Sequence, residues 1–567
     1  MKRAAKRALP FTALLLSAAG LVFLQTSVPA PQLATFMPSG ALLYLEAPDF
    51  GRLLRDWDAS KVKADWLRSD NYAVFSRSNL FSKLTDVYAE YGAAAGFRPG
   101  LKSVVEIAGT DSALALYGIH DVEFLYMSRV ADTDLAKTQL WAVRDKFEQR
   151  QAGGVPFYLR ADPASKRTVA FAFTKGYLLL ATRDDLVAQA LQLLSGGANP
   201  SIASDPWYRD SVAAAQNPAD LRLVMNLESL VKSAYFRSYW VQRNASMIRR
   251  YRAGLADVRR TGDAITETRI FLHALDAVDP APSAAGSSEV SSLLALVPPE
   301  AGVYKASRVG DSSAVAALIV EKLIATQPQR TGDWREAPSA VSPDMHAGTE
   351  GDLETRIDEQ PLPSDAGISD SVAAVRALAG QTGCRAVLLV QSSSPGSATF
   401  VQMPSVIVLA GAQDWDRSAV GASLAVAAGK LWTTSQLGAG WVSGTAGQHG
   451  VERLDGLGTL LFAADGRLLF LGNDAPLLAA VMDRGGRPPS TSALSYAAGF
   501  RPLLERPAYE RVMTALDFGS AAGDEPAFFS RNIGSLSRVL SNVADVSLTE
   551  ETKGIITLQT VVYRMRQ

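Results

Sequence analysis

The clearest hydrophobic rhythm in the chain is TVAFAFTKGYLLLATRDDLVAQALQLLSGG, from Thr168 to Gly197. Two short apolar runs flank Lys175-Gly176, which predicts a strand, a tight turn and a second strand. Apolar residues at helical spacing then predict a helix from Asp184 to Leu194. Thr182 stands as its N-cap with Asp185 in capping-box position, and Ser195-Gly196-Gly197 ends it. The rhythm returns from Thr459 as TLLFAADGRLLFLGNDAPLLAAVMDRGG, with Asn473 as the matching cap. Gly176, Leu178, Leu179, Asp184, Ala190 and Gly196 recur as Gly466, Leu468, Leu469, Asp474, Ala480 and Gly486, at one offset of 290.

The repeat extends both ways. Pro38 and Tyr44 recur as Pro298 and Tyr304 at 260. Pro218, Ala219, Arg222 and Leu227 match Pro507, Ala508, Arg511 and Leu516 at 289. Arg243, Asn244, Arg250, Ala256, Asp257 and Val258 match Arg531, Asn532, Arg538, Ala544, Asp545 and Val546 at 288. Self-similarity of this kind is the signature of repeated units. The chain reads as two tandem copies of one domain, 37–275 and 297–567, joined by a Pro/Ala/Ser/Gly-rich linker at 276–296. The rise in offset from 260 to 290 places about 30 extra residues between Ala306 and Gly466. Residues 331–370, with ten acids against two arginines, supply them. The stretch 327–370 reads as a disordered acidic insertion.

The remaining patterns predict helices over Phe50–Tyr91, Asp132–Glu148, Glu228–Ala253, Trp415–Leu431 and Ala527–Asn542. They predict strands at Ala41–Ala47, Asp111–Gly118, Val122–Val130, Asp220–Leu227, Ala386–Gln391, Ser405–Gly411 and Arg511–Phe518, and closing hairpins in both halves. Hairpins outnumber helical crossovers. The predicted class is therefore α+β, each copy a mainly antiparallel sheet with packed helices.

The N-terminus changes the picture of where the chain works. Lys2, Arg3, Lys6 and Arg7 precede an uncharged apolar run, Ala8–Leu24, and then Val28-Pro29-Ala30. Residues 1–30 read as a signal peptide or an N-terminal membrane anchor, a hydrophobic helix ahead of the two domains. The cations hold this end in the cytoplasm, so the chain beyond it is exported. The expected location is the periplasmic side of the inner membrane if the segment is uncleaved, and the periplasm or exterior if it is cleaved.

Composition excludes more than it assigns. The formal charge is −1 over 567 residues, and no basic domain of the kind nucleic acid requires stands out. The single cysteine, Cys384, rules out an intramolecular disulfide and reads as a buried structural thiol. Its GCRAVLLVQ setting is not the electropositive one a reactive thiol needs. The four histidines have no partner at ligand spacing, and His120-Asp121-Val122-Glu123 is not repeated in the second half. No metal or cofactor is expected. Ser60–Lys63 and Ser229–Lys232 have the Ser-x-x-Lys spacing without its companion motifs. The glycine-rich Gly444–Gly450 reads as a loop between strands, and Asp414-Trp415-Asp416 as a helix cap.

The binding candidates are Arg237, Trp240, Arg243, Arg249 and Arg250. They lie on a stretch, 236–255, where Phe236, Trp240, Met247, Tyr251 and Leu255 form an apolar stripe beside arginines. A basic amphipathic helix can lie on an anionic membrane.

The Pro38–Ala47 pattern Pro-x-Gly-x-x-x-Tyr, followed by the Thr168–Gly197 block, resembles a family of exported bacterial proteins known as a domain of unknown function. The resemblance implies a cell-envelope location and carries over no functional residues. Three readings are open. The first is a non-catalytic envelope protein acting as a scaffold or binding module, with envelope proteins or a lipid surface as partners. The second is a hydrolase with an unrecognised site. The third is a peripheral lipid-contacting protein using the Arg-rich helix.

Overall fold

In the computed structural model the described residues are 32–215, 219–232, 248–274, 287–324, 370–393, 403–432, 440–455, 458–486, 493–517 and 527–566. The N-terminal segment 1–30 and nearly all of the acidic stretch 327–370 lie outside them. No helix among the described residues is long and apolar enough to cross a membrane.

Ten strands come from the first half: β1 Leu43–Ala47, β2 Ser112–Gly118, β3 Glu123–Arg129, β4 Glu148–Ala152, β5 Val155–Ala161, β6 Thr168–Thr174, β7 Tyr177–Ala181, β8 Leu221–Met225, β9 Tyr251–Thr261 and β10 Ala264–His273. Ten more come from the second: β11 Val303–Arg308, β12 Ala386–Gln391, β13 Ser405–Ala410, β14 Trp441–Ala446, β15 His449–Asp455, β16 Thr459–Asp465, β17 Leu468–Gly472, β18 Tyr496–Phe500, β19 Val543–Lys553 and β20 Ile556–Met565. All twenty join one antiparallel sheet. The first ten pair in the order β4-β5-β6-β7-β3-β2-β1-β8-β9-β10. The second ten pair in the same order, β14-β15-β16-β17-β13-β12-β11-β18-β19-β20. The halves meet where β10 pairs with β20. There Thr268 faces Thr560, and the hairpins leading to them, Thr261↔Ala264 and Lys553↔Ile556, are offset by 292 residues.

Both organising turns have two residues, but their chemistry differs. Lys175 and Gly176 both take positive φ (52° and 76°), the mirror-image turn that matches strand twist. In the second half Gly466 (φ 53°) moves to the first turn position and Arg467 comes after it. The glycine thus slides by one residue relative to the paired strands.

The helices named below are α1 Phe50–Asp58, α2 Lys61–Leu67, α3 Asp70–Phe75, α4 Asn79–Ala95, α5 Leu101–Ile107, α6 Asp184–Leu194, α7 Pro206–Ala214, α8 Leu227–Lys232, α9 Ser287–Leu294, α10 Ser312–Ile319, α11 Asp370–Gln381, α12 Arg417–Trp432, α13 Ala475–Met482, α14 Pro502–Leu516 and α15 Gly534–Leu540. One sheet face packs α6 and α7 in the first half, and α9 and α13 in the second. The other face carries α4 and α5 in the first half, and α10, α11 and α12 in the second.

Several expectations need correction. Among the described residues the matches at 289 and 288 are not structural equivalents. Arg222 lies on β8 and Arg511 lies inside α14, while β8 corresponds to β18 by its pairing with β1 and β9. Asp257 corresponds to Thr549, not Asp545. The cause is a pair of compensating changes. The connection after β7 shortens from 182–220 to 473–495 and the connection after β8 lengthens from 226–250 to 501–542, so the offset returns near 290 on both sides. The extra residues before Gly466 are spread over three connections: 309–385 against 48–111, 392–404 against 119–122, and 411–440 against 130–147. The predicted helix Asp132–Glu148 shrinks to short turns before β4. The predicted helix Glu228–Ala253 gives way to β9 at Tyr251. Within the stretch read as linker, α9 places Val290 and Leu293 in the second half's core. Gly444–Gly450 is itself a strand pair, β14 and β15, turning at Gly447.

Thr182 and Asn473 do not cap their helices; Arg183 and Asp474 hold those positions. They are strand latches instead. Thr182 Oγ1 accepts from Phe124 N at 3.0 Å, and Asn473 Oδ1 accepts from Ser405 N at 2.7 Å.

Candidate functional site

The site grows from α4. Ser78 caps it by accepting from Phe81 N, and Gly96 ends it in the left-handed conformation. Leu80, Leu84, Val87, Tyr88, Tyr91 and Ala95 share one face by their spacing. Such a stripe normally meets a core along its whole length, and here it meets one only at its C-terminal end. Ala95 is 7% exposed, while Tyr88, Leu84 and Leu80 are 43%, 55% and 59% exposed.

Beneath the open part lies a cavity of about 360 Å³. The helix contributes Leu84, Val87, Tyr88 and Tyr91, the sheet contributes Phe124, Val169 and Leu180, and the turn before β3 contributes Val122. Phe97, Pro99, Val104 and Ile107 line a third side, where Tyr88 Oη donates to Pro99 O. The polar groups in the wall are already engaged. Thr182 bonds to Phe124 N and Val122 O, Ser103 Oγ bonds to both backbone groups of Gly100, and Tyr91 Oη donates to Asp121 O at 3.0 Å. Burial raises the Tyr91 phenol above its ordinary pKa, with Arg167 stacked on its ring at 5.2 Å. What remains is an apolar surface.

The second half uses the same sheet face in the opposite way. By register, Val169, Phe171, Leu178 and Leu180 correspond to Leu460, Phe462, Leu469 and Leu471. Helices α10, α11 and α12 cover the latter four with Ile319, Val375, Val420 and Leu424, all buried. Leu471 is fully buried where Leu180 is only partly buried. Trp441 packs edge-on against Phe462 at 4.8 Å. The strands also differ. Ser112, Tyr126 and Ser128 face this side in the first half, where Val387, Ile407 and Leu409 stand in the second.

A larger cleft of about 750 Å³ lies on the other side of α5, lined by Arg55, Glu106, Arg129, Lys137, Lys175 and Tyr177 among others. Much of its charge is spent internally. Arg129 bonds Tyr177 Oη at 3.1 Å and pairs with Asp111 at 3.7 Å. Lys137 pairs with Asp134, Glu106 accepts from Gln139 N, and Lys175 donates to Leu194 O. A third cavity, about 290 Å³, sits at the β10–β20 seam.

Strongly perturbed groups cluster elsewhere. Arg222 forms a two-pronged bond with Asp257 (2.7 Å each), Glu46 lies 3.7 Å away, and Tyr44 Oη donates to Glu46. Burial raises the Glu46 carboxyl and the phenols of Tyr44 and Tyr208 above their ordinary values. Of these groups only Asp257 lines a described cavity.

The sequence candidates are not brought to any of these sites. Arg237, Trp240 and Arg243 lie outside the described residues. Arg249 and Arg250 are exposed at the approach to β9. Tyr251 and Leu255, read as part of the same helical stripe, are strand residues, with Tyr251 against Phe271 and His273. Ser60 caps α2 while Lys63 pairs with Asp58, and Lys232 pairs with Glu228. Asp416 caps the start of α12, as expected. Cys384 donates weakly to Ala386 O, and burial pushes its thiol up to about 12. No group of His, Cys, Asp and Glu among the described residues could hold a metal. In the sequence the cavity residues of α4 form a helical stripe that reads as core; the signal that could mark them is the excess of large apolar residues for one helix face.

No protein-family model and no curated protein matches the chain, in keeping with a family of unknown function. Among solved structures, crystal forms I and III of TP0453 match at TM-scores of 0.26 and 0.25. They are 10% and 12% identical, over 44% and 49% of this chain and 82% and 90% of that one. Likeness at that level carries no argument about fold or function.

Proposed function

We propose that this is a non-catalytic binding module of the cell envelope, built from two tandem copies of one unit (37–275 and 297–567). In this reading the first copy holds a small apolar ligand between α4 and the sheet. The observation that carries it is the contrast across one sheet face, open over Leu180 and closed over Leu471. A cavity of this size lies at the lower end of small-molecule sites. Its wall polar groups are already bonded, which favours binding over hydrolysis. Export by the 1–30 segment fits a carrier working beyond the cytoplasmic membrane; cell fractionation with intact mass of the product tests that part separately.

The binding test is fluorescence titration of the full chain with the uncharged probe N-phenyl-1-naphthylamine. Val87→Trp and Leu180→Trp fill the cavity from opposite walls and are expected to weaken binding at least about tenfold, the loss of roughly 1.4 kcal/mol of contact. Both variants should keep the far-UV spectrum of the parent. Probe binding unchanged in both would overturn the reading.

A further inference from the structure

The cavity reading leaves open what kind of apolar ligand enters, and the charges at the mouth address that. The mouth is framed by α4, by the turn Phe97-Arg98-Pro99-Gly100 and by the start of α5. Arg98 stands between two lining residues, Phe97 and Pro99, and is exposed. Lys102 precedes the lining Ser103 and is exposed. Lys83 precedes the lining Leu84 and is exposed too. None of the three forms an ion pair among the described residues. Two of the acids nearby are spent. Glu90 is held by Arg167 at 2.9 Å, Glu106 accepts from Gln139 N on the far side of α5, and Asp86 alone remains on the exposed face of α4. Asp121, exposed beside the lining Val122, also has no ion pair among the described residues, so three uncommitted cations face two uncommitted acids around an apolar opening.

Resting on that reading, we infer that the ligand is an acyl chain with an anionic head: the chain enters under α4 and the head stays at the surface between Arg98 and Lys102. An apolar wall with bonded polar groups gives a chain nowhere to place a polar tail-end, so the chain enters methyl first. Long basic side chains whose stems lie on apolar surface suit a head group left in water. The free carboxylate of a fatty acid and the phosphate of a membrane lipid share this chemistry.

The test is competition for the bound uncharged probe in the full-length protein. Dodecanoate is expected to displace it at a concentration about fivefold to tenfold below dodecanol, the gain from two exposed ion pairs. The preference should shrink at 0.5 M salt, where surface charges are screened. In Arg98→Glu/Lys102→Glu the advantage of dodecanoate should disappear while dodecanol is unaffected, and dodecyltrimethylammonium should gain. Lysophosphatidylglycerol, run in parallel below its micelle concentration, distinguishes a membrane-lipid source from a free acid; loss of displacement in the double variant for either one supports the inference. Equal displacement by acid and alcohol, or equal weakening of both in the variant, overturns it while leaving the cavity reading intact. Failure of the cavity reading shows separately, as probe binding unchanged in both Val87→Trp and Leu180→Trp.

Discussion

The two halves run ten strands in the same order and then cover one face of them differently. In the second half three helices seal it, with Val420, Leu424 and Leu471 buried together. In the first half the long α4 and the short α5 lie over it and leave Leu84 and Tyr88 half in water. The pairing order is backbone hydrogen bonding and tolerates many side chains. The covering layer depends on which side chains face out, and there Ser112, Tyr126 and Ser128 replace aliphatic residues. An unchanged sheet can therefore carry a sealed core in one half and a binding cavity in the other.

The largest effect that would sharpen this contrast is in the sealed half. Leu471→Ala should cost about 2–5 kcal/mol, as a truncation in a closed core does. Leu180→Ala, at the equivalent position beside an existing cavity, should cost about 1 kcal/mol or less. Urea unfolding of both variants measures the difference, and equal costs would break the comparison.

A smaller effect concerns what holds the open half's helices in place. Asn532, buried at 5% exposure, accepts from the Asn71 side chain at 2.9 Å, and Ser535 Oγ accepts from Asn71 N at 3.0 Å. These bonds tie α3 of the first half to the second. Asn532→Ala strands a half-buried amide and should cost about 1–2 kcal/mol. Amide exchange should rise over 70–75 first; exchange that rises instead in β18 or β19 would contradict the tie.

How far each part is legible in the sequence depends on how it is encoded. Strands with one buried face and a tight turn, such as β6 and β7, write their pattern plainly. The edge strand β4, Glu-Gln-Arg-Gln-Ala, has four exposed polar residues in five and no alternation to read. Nothing apolar marks it as a strand, so its first residue falls into the predicted helix Asp132–Glu148. The equivalence of β8 and β18 is hidden because the connection before the strand is shorter in the second half and the one after it longer, and the two changes cancel. The cavity is hidden for a different reason. Leu84, Val87 and Tyr88 signal a helix face that wants a partner, but only three-dimensional placement shows whether the partner fills the space. The candidate arginines of 236–255 rest on continuing the helix through Tyr251, where the β9–β10 hairpin wins: Tyr251 pairs with His273 across the strands and its ring also meets Phe271.

The smallest effect tests the charge row present in the first half alone. Glu46, Arg222 and Asp257 correspond to Ala306, Ala497 and Thr549. Burial raises the folded-state pKa of Glu46 above its unfolded value. The folded protein therefore keeps this proton to higher pH, and the penalty for charging it grows as pH rises from about 4.3, the unfolded value, through the folded value. Glu46→Gln should raise the melting temperature at neutral pH by on the order of 1 °C. The gain should vanish below about pH 4. A gain that persists at low pH would mean Glu46 acts through packing and not through its charge.

The measurement that bears most directly on the asymmetry is hydrogen–deuterium exchange of the full chain with and without a saturating apolar probe. Ligand in the cavity should slow exchange across 79–107 and leave 370–381 and 417–432 unchanged. Protection of both helical layers, or of 417–432 alone, would contradict a single binding cavity in the first half.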